Sequence, residues 1–248
     1  MAQPLLELHD VSVSFDGFYA LTDLSLQLYE GEVKSIIGPN GAGKTTFLDV
    51  ITGKVKPTKG TVTYRGKSLV GQSEQKISRQ GIGRKFQTPS VFNNLTVLRN
   101  LELAATPHKN AFSILANKLP QSVKDEVHRL LKYVGLEKYS TKLAGSLSHG
   151  QKQWLAIAMV VAQSPEVLLL DEPVAGLTDE ETERTAELIK SLAGDHTVVV
   201  IEHDMEFIRD LDFDVTVLHQ GQVLTEGPLD QVKADPRVIE VYLGQADD

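Results

Sequence analysis

The chain of 248 residues has no cysteine. That excludes a disulfide framework, a thiol nucleophile and a cysteine-based zinc site, and it fits a reducing compartment. Long hydrophobic runs are missing too. The longest unbroken one is the nine residues from Trp154 to Ala162, whereas a membrane-spanning helix needs about 20. The opening, Met1 to Pro4, has neither the basic start nor the apolar stretch of a secretion signal. The expected location is the cytoplasm, with any membrane association made through another protein. Basic excess is also lacking. Lys and Arg number 25 against 33 Asp and Glu, for a net charge of −8. Proteins that grip a nucleic-acid backbone usually carry the opposite balance, so nucleic acid is not an expected partner. There is no internal repeat, low-complexity tract or coiled-coil heptad.

What is present suits a folded core, with 41% apolar and 23% charged residues. The first sixty or so residues read as strands. Leu5 to Phe15 alternates loosely, Leu24, Leu26 and Leu28 cleanly, and Val33 to Ile37 is a short apolar run ending in Gly38. A helix is predicted from Lys44 to about Thr52, closed by Gly53, and another strand over Thr61 to Tyr64. From about Pro89 to Gln163 the spacing is helical. Leu95, Leu98, Leu101 and Ala105 form one stripe, Val127, Leu130, Leu131 and Val134 a second behind a cap at Ser122, and Leu155, Ala158, Met159 and Ala162 a third. Strands then return. Val167 to Leu170 and Val198 to Ile201 are continuous apolar runs, as expected of parallel strands buried on both faces. Between them, Thr178 and Glu181 form a capping box that predicts a helix of about fifteen residues. Val215 to Leu218 and Gln222 to Leu224 flank Gln220-Gly221 as a hairpin. The sum is an α/β core interrupted by a helical block.

Gly38, Pro39, Asn40, Gly41, Ala42, Gly43, Lys44 and Thr45 fit the pattern Gly-x4-Gly-Lys-Thr, with a strand before and a helix after. Glycines let the backbone wrap around phosphates with its N–H groups inward, and the helix N-terminus adds partial positive charge. Lys44 is expected on the β- and γ-phosphates, Thr45 on magnesium and Thr46 on the α-phosphate. Downstream, Leu168 to Leu170 runs into Asp171-Glu172-Pro173. Acids at the end of a buried strand lie beside the phosphate loop in such sheets. Asp171 is the expected magnesium ligand and Glu172 the general base for an attacking water. His203 ends another core strand and could hydrogen-bond the γ-phosphate. Gln87, after Arg84-Lys85-Phe86, is a weaker signal by itself. The chemistry implied is magnesium-dependent ATP hydrolysis.

Leu147-Ser148-His149-Gly150-Gln151 resembles the Leu-Ser-Gly-Gly-Gln signature of ATP-binding cassette proteins, and the order phosphate loop, Gln87, signature, Asp171-Glu172, His203 is that of the family. The resemblance covers essentially the whole chain. It implies one cassette domain over 1–248, with a P-loop core from 1–88 and 164–248, an N-terminal antiparallel β subdomain, and a helical subdomain over 89–163. It also implies that Gln87 senses the nucleotide and joins the magnesium ligands. Lys44 and His203 would share the catalytic site with Glu172. Ser148, Gly150 and Gln151 would face the γ-phosphate held by a second subunit. The aromatic platform for adenine falls on Phe15, ahead of Gly17, with Tyr19 second. Two departures stand out. His149 replaces the usual first glycine, and Thr178-Asp179 stands where the family usually has an aspartate at the first of those positions.

Finer stretches look like the branched-chain amino acid importer branch: the phosphate loop, Arg84 to Pro89, and Glu172 to Leu177. Within it, Leu147 to Trp154, Val174 to Glu187, Val198 to Phe207 and Asp235 to Gly244 look closer to urea importer ATPases. The expectation is therefore a urea importer motor working with a second, non-identical ATPase, two permease subunits and a binding protein outside. The chain would sit at the cytoplasmic face of the membrane. The alternatives are a branched-chain amino acid importer, an exporter cassette, or a soluble cassette ATPase. The last usually carries two cassettes or a long coiled-coil insert, and here only about sixty residues separate Gln87 from Leu147. A P-loop kinase or GTPase would lack the signature helix.

Overall fold

A computed structural model describes residues 3–106 and 119–243. Part of the predicted helical block, 107–118, and the tail after Gly244 lie outside these residues. Two sheets carry the fold. The first has the antiparallel strands β1 (Leu6–Phe15), β2 (Phe18–Leu28), β4 (Lys59–Tyr64) and β5 (Lys67–Ser68) in the order β2-β1-β4-β5. The second contains β3 (Val33–Ile37), β6 (Ile82–Lys85), β7 (Val167–Asp171), β8 (Thr197–Ile201), β9 (Val215–His219) and β10 (Gln222–Gly227). Its order is β10-β9-β3-β8-β7-β6, parallel except for the β9–β10 hairpin.

The continuous apolar runs become strands buried on both faces. Successive residues of a strand point to opposite sides. Thus Leu168, Leu170, Val198 and Val200 join a core with the helices, while Val167, Leu169, Val199 and Ile201 join one with the antiparallel sheet and α1 (Lys44–Ile51). Parallel pairing has a second result. Lys85 pairs with Leu170, Asp171 with Ile201, and Ile36 with Ile201. The C-terminal ends of β3, β6, β7 and β8 therefore reach one edge together, the place where α/β sheets hold ligands.

Between β6 and β7 lie α3 (Val97–Ala105), α4 (Gln121–Tyr133) and α5 (His149–Val161). Leu95 is not in the first of these. The helix begins after Thr96, whose side chain accepts from the Arg99 N–H and so fixes the start. Ser122 is not a cap either: Pro120 is the N-cap residue of α4, without a side-chain bond, and Ser122 lies inside the first turn. α6 (Asp179–Lys190) does carry the Thr178–Glu181 capping box, but ends after twelve residues. Several short elements carried no clear periodicity: α2 (Glu74–Arg79), α7 (Met205–Leu211), α8 (Leu229–Ala234) and α9 (Pro236–Leu243). Among the described residues, no helix is long and apolar enough to cross a membrane.

Candidate active site

The phosphate loop runs from the end of β3 into α1. Gly43 precedes the helix at φ 101°, in the left-handed region, and a Cβ there would lie 2.6 Å from the Ala20 carbonyl of β2. Only glycine fits both constraints. No side chain caps α1, and the first N–H groups of a helix have no intrahelical acceptor. The turn from Lys44 to Thr46 therefore offers free donors at the positive end of the dipole. Lys44 is half-buried, its ammonium 2.6 Å from the Gly38 carbonyl and 2.9 Å from that of Pro39. Burial pulls its pKa down, against Glu172, Asp171 and Glu202 nearby. Asn40, Gly41 and Thr45 are exposed, whereas Ala42 is buried.

The sheet edge brings Asp171, Glu172, Gln87 and His203 together. Asp171 ends β7 and is buried; one of its oxygens accepts from Arg84 at 2.8 Å. The same guanidinium reaches Asp49 on α1 at 2.5 Å, tying β6, β7 and α1 together. Glu172 follows at φ 43°, a left-handed backbone that costs a residue with a side chain about 1–2 kcal/mol. Its carboxylate accepts from the Gln87 amide at 2.5 Å and lies 3.9 Å from the His203 imidazole. Thr45, Asp171 and Gln87 can each offer a side-chain oxygen, the kind of ligand magnesium takes, so these residue types suit that ion.

Three residues at the centre were not singled out from the sequence. Arg84 and Lys85 precede Gln87 within a stretch that carries only a family likeness, and Glu202 stands between the strand and His203 within another. Lys85 is 2% exposed, and its ammonium reaches the carbonyls of Asp171 and Glu172 at 3.3 Å and of Gln87 at 3.4 Å. Burial lowers its pKa to about 8, against the pull of Glu202, Asp171 and Glu172. Glu202 is 1% exposed and accepts from the N–H groups of Val174 at 3.0 Å and His203 at 3.1 Å. Burial raises its pKa, against those two hydrogen bonds. An acid straight after an apolar run was the available signal for Glu202.

The signature residues start α5. Ser148 and Gln151 form a reciprocal capping box: the serine hydroxyl accepts from the Gln151 N–H at 3.2 Å, and the glutamine carbonyl from the Ser148 N–H at 3.1 Å. Gly150 is buried against Glu181 of α6; a Cβ there would lie 2.4 Å from that carboxylate. His149 is exposed and turned inward along its own subunit, its Nε2 3.0 Å from the Ala175 carbonyl and 3.5 Å from the amide of buried Gln153. Gln153 in turn donates to the Gln87 carbonyl at 3.3 Å. Thr178 caps α6 with its side chain, and Asp179 is exposed in the first turn. Phe15 ends β1 half-exposed, paired across a tight turn with Phe18; Tyr19 is exposed beside them.

The chain matches the family model described as ABC transporter over residues 21–175. It also matches that of the branched-chain amino acid ATP-binding cassette transporter over residues 222–248. It is 38% identical to the high-affinity branched-chain amino acid transport ATP-binding protein LivG of Salmonella typhimurium, over 99% of this chain and 100% of that one. With BraF of Pseudomonas aeruginosa, a protein of the same description, identity is 36% at the same coverage. The ADP conformation of MJ1267, an ATP-binding cassette of an ABC transporter, has a TM-score of 0.85 at 29% identity, covering 98% of this chain and 100% of that one. A dimeric post-hydrolysis cassette, MJ0796 bound to ADP and Pi, has a TM-score of 0.74 at 29% identity, with coverage of 90% and 98%. The antiparallel sheet, the mixed sheet with its helices, and the loop at the edge are the cassette fold expected from the sequence. The chain belongs to the ABC transporter family as an ATP-binding subunit of the branched-chain amino acid importer type, binding ATP with magnesium and hydrolysing it.

Proposed function

We propose that this chain drives uptake of branched-chain amino acids. The reading is carried by end-to-end similarity to cassettes of that description, together with the C-terminal match over residues 222–248. Urea was the expectation from four short stretches, but the relatives' descriptions give it no support, and the amino acid alternative fits them better. The partners proposed are a second, non-identical ATPase, two permease subunits and a binding protein outside. The chain would then be peripheral, held at the cytoplasmic face by the permeases. The exposed loop from Thr88 to Asn94, with Phe92 at its surface, is the proposed docking surface for a permease helix.

The site residues take these roles. Phe15 stacks on adenine, which contributes about 1–3 kcal/mol. The backbone from Gly38 to Thr46 wraps the phosphates, and Lys44 neutralises the β- and γ-groups. Thr45, Asp171 and Gln87 would hold magnesium, which would supply charge neutralisation to the phosphates. Glu172 takes the proton of the attacking water, with His203 on the γ-phosphate. Ser148, Gly150 and Gln151 meet the γ-phosphate of the other subunit. ATP can then move the permease only through tighter binding to the closed dimer than to the open one. Shifting that balance from 1:99 to 99:1 takes about 5.5 kcal/mol. Contacts made only across the closed interface can supply it.

The test is uptake of labelled leucine and labelled urea at low supply in a strain lacking this subunit. Leucine uptake should fall and urea uptake should persist. A strain restored with Glu172→Gln should stay defective, because binding without hydrolysis cannot reset the permease. Lost urea uptake with normal leucine uptake would reverse the assignment.

A further inference from the structure

We propose that Lys85 and Glu202 are positioning residues for hydrolysis, gripping the backbone from Asp171 to Val174 from two sides and so aiming the carboxylate of Glu172. The proposal rests on the reading of Glu172 as the base. Its observations are separate. Lysine and glutamate are almost never fully buried, yet these two are 2% and 1% exposed, at the end of β6 and just past the end of β8, the strands that flank β7. Removing either charge from water is unfavourable unless partners satisfy it.

The partners are the main chain of one short loop. Lys85 donates to the carbonyls of Asp171 and Glu172, and also to that of Gln87. Glu202 accepts from the Val174 N–H on the far side of the same loop, and from the His203 N–H. Between these two grips stands Glu172 in its left-handed conformation, its own N–H bonded to the Ile201 carbonyl at 2.9 Å. A strained residue persists only where its surroundings over-determine it. Here the surroundings are a buried cation on its carbonyl and a buried anion two residues later. Both also hold a further residue at the γ-phosphate end, Gln87 in one case and His203 in the other. The pair thus sets three functional groups relative to one another.

A merely structural role would weaken the fold and spread over every property of the site. An aiming role acts through Glu172 alone. The experiment is steady-state ATP hydrolysis, measured against ATP concentration, by the full-length chain carrying Lys85→Met or Glu202→Gln, each alone and combined with Glu172→Gln. A displacement of about 1 Å at a reacting group can cost about 100-fold in rate. We therefore expect kcat to fall about 10- to 100-fold in each single variant, with KM for ATP changed less than about threefold. In the Glu172→Gln background the same substitutions should cost almost nothing further, since the group they aim is gone. An equal loss in both backgrounds, or unchanged kcat, overturns the proposal. Lost ATP binding in both variants also overturns it, by making the pair structural supports. Either variant that keeps its ATP affinity is enough to decide. Parent-like turnover by Glu172→Gln alone marks a different failure, that of the base assignment.

Discussion

Lys44→Ala should abolish both ATP binding and turnover. Each hydrogen bond from a charged group contributes about 1.5–3 kcal/mol. Two bonds, to the β- and γ-phosphates, amount to about 3–6 kcal/mol, or about 10²–10⁴ in affinity. No other residue of the loop from Gly38 to Thr46 carries a positive charge, so nothing there can substitute. The ammonium also bonds the Gly38 and Pro39 carbonyls, and alanine would leave both without it. A melting temperature close to the parent's would separate lost phosphate contact from lost loop structure. Titration with a fluorescent ATP analogue is the measurement. Parent-like affinity would mean the phosphates bind elsewhere.

Glu172→Gln should leave affinity nearly intact and lower turnover about 10²–10⁴-fold, the usual worth of a positioned general base. The amide keeps the shape of the carboxylate and can still accept from Gln87. It cannot take a proton from water. With ATP held but not cleaved, the closed dimer should accumulate, and gel filtration with ATP and magnesium should show a dimer that the parent does not retain. Turnover near the parent's would move the base to His203, which stands 3.9 Å from the same carboxylate.

The phosphate loop was legible because its function sits in consecutive residues. Asp171 and Glu172 were legible because an apolar strand ended in acids. Leu95 misled because its spacing continued the stripe of α3, while the Thr96 hydroxyl, a local bond, set the actual start. Lys85 and Arg84 were invisible for another reason. The four residues of β6, Ile-Gly-Arg-Lys, include one large apolar side chain and no alternation. Their burial comes from pairing with β7 and from groups more than eighty positions away in the chain. The cargo lay outside reach altogether: the short stretches suggesting urea fall at the start of α5, in and before α6, around the end of β8 and in α9, all in the ATPase chain, and it is the permease that meets the cargo.

The left-handed backbone at Glu172 also bears on how this protein would respond to selection for heat resistance. Glycine and asparagine adopt that conformation readily, and glutamate does not. Replacing Glu172 by glycine relieves the strain, partly offset by the greater freedom of glycine in the unfolded chain. The net gain should be at most about 1 kcal/mol, a rise of about 2–4 °C in melting temperature for a domain of this size. Calorimetry of Glu172→Gly and Glu172→Asn beside Glu172→Gln would measure it, and a lower melting point for the glycine variant would contradict it. A screen that rewards thermal stability alone would therefore enrich variants that have discarded the proposed base. Thermostable variants of this cassette should be chosen with turnover measured alongside, because at this position durability and function pull in opposite directions.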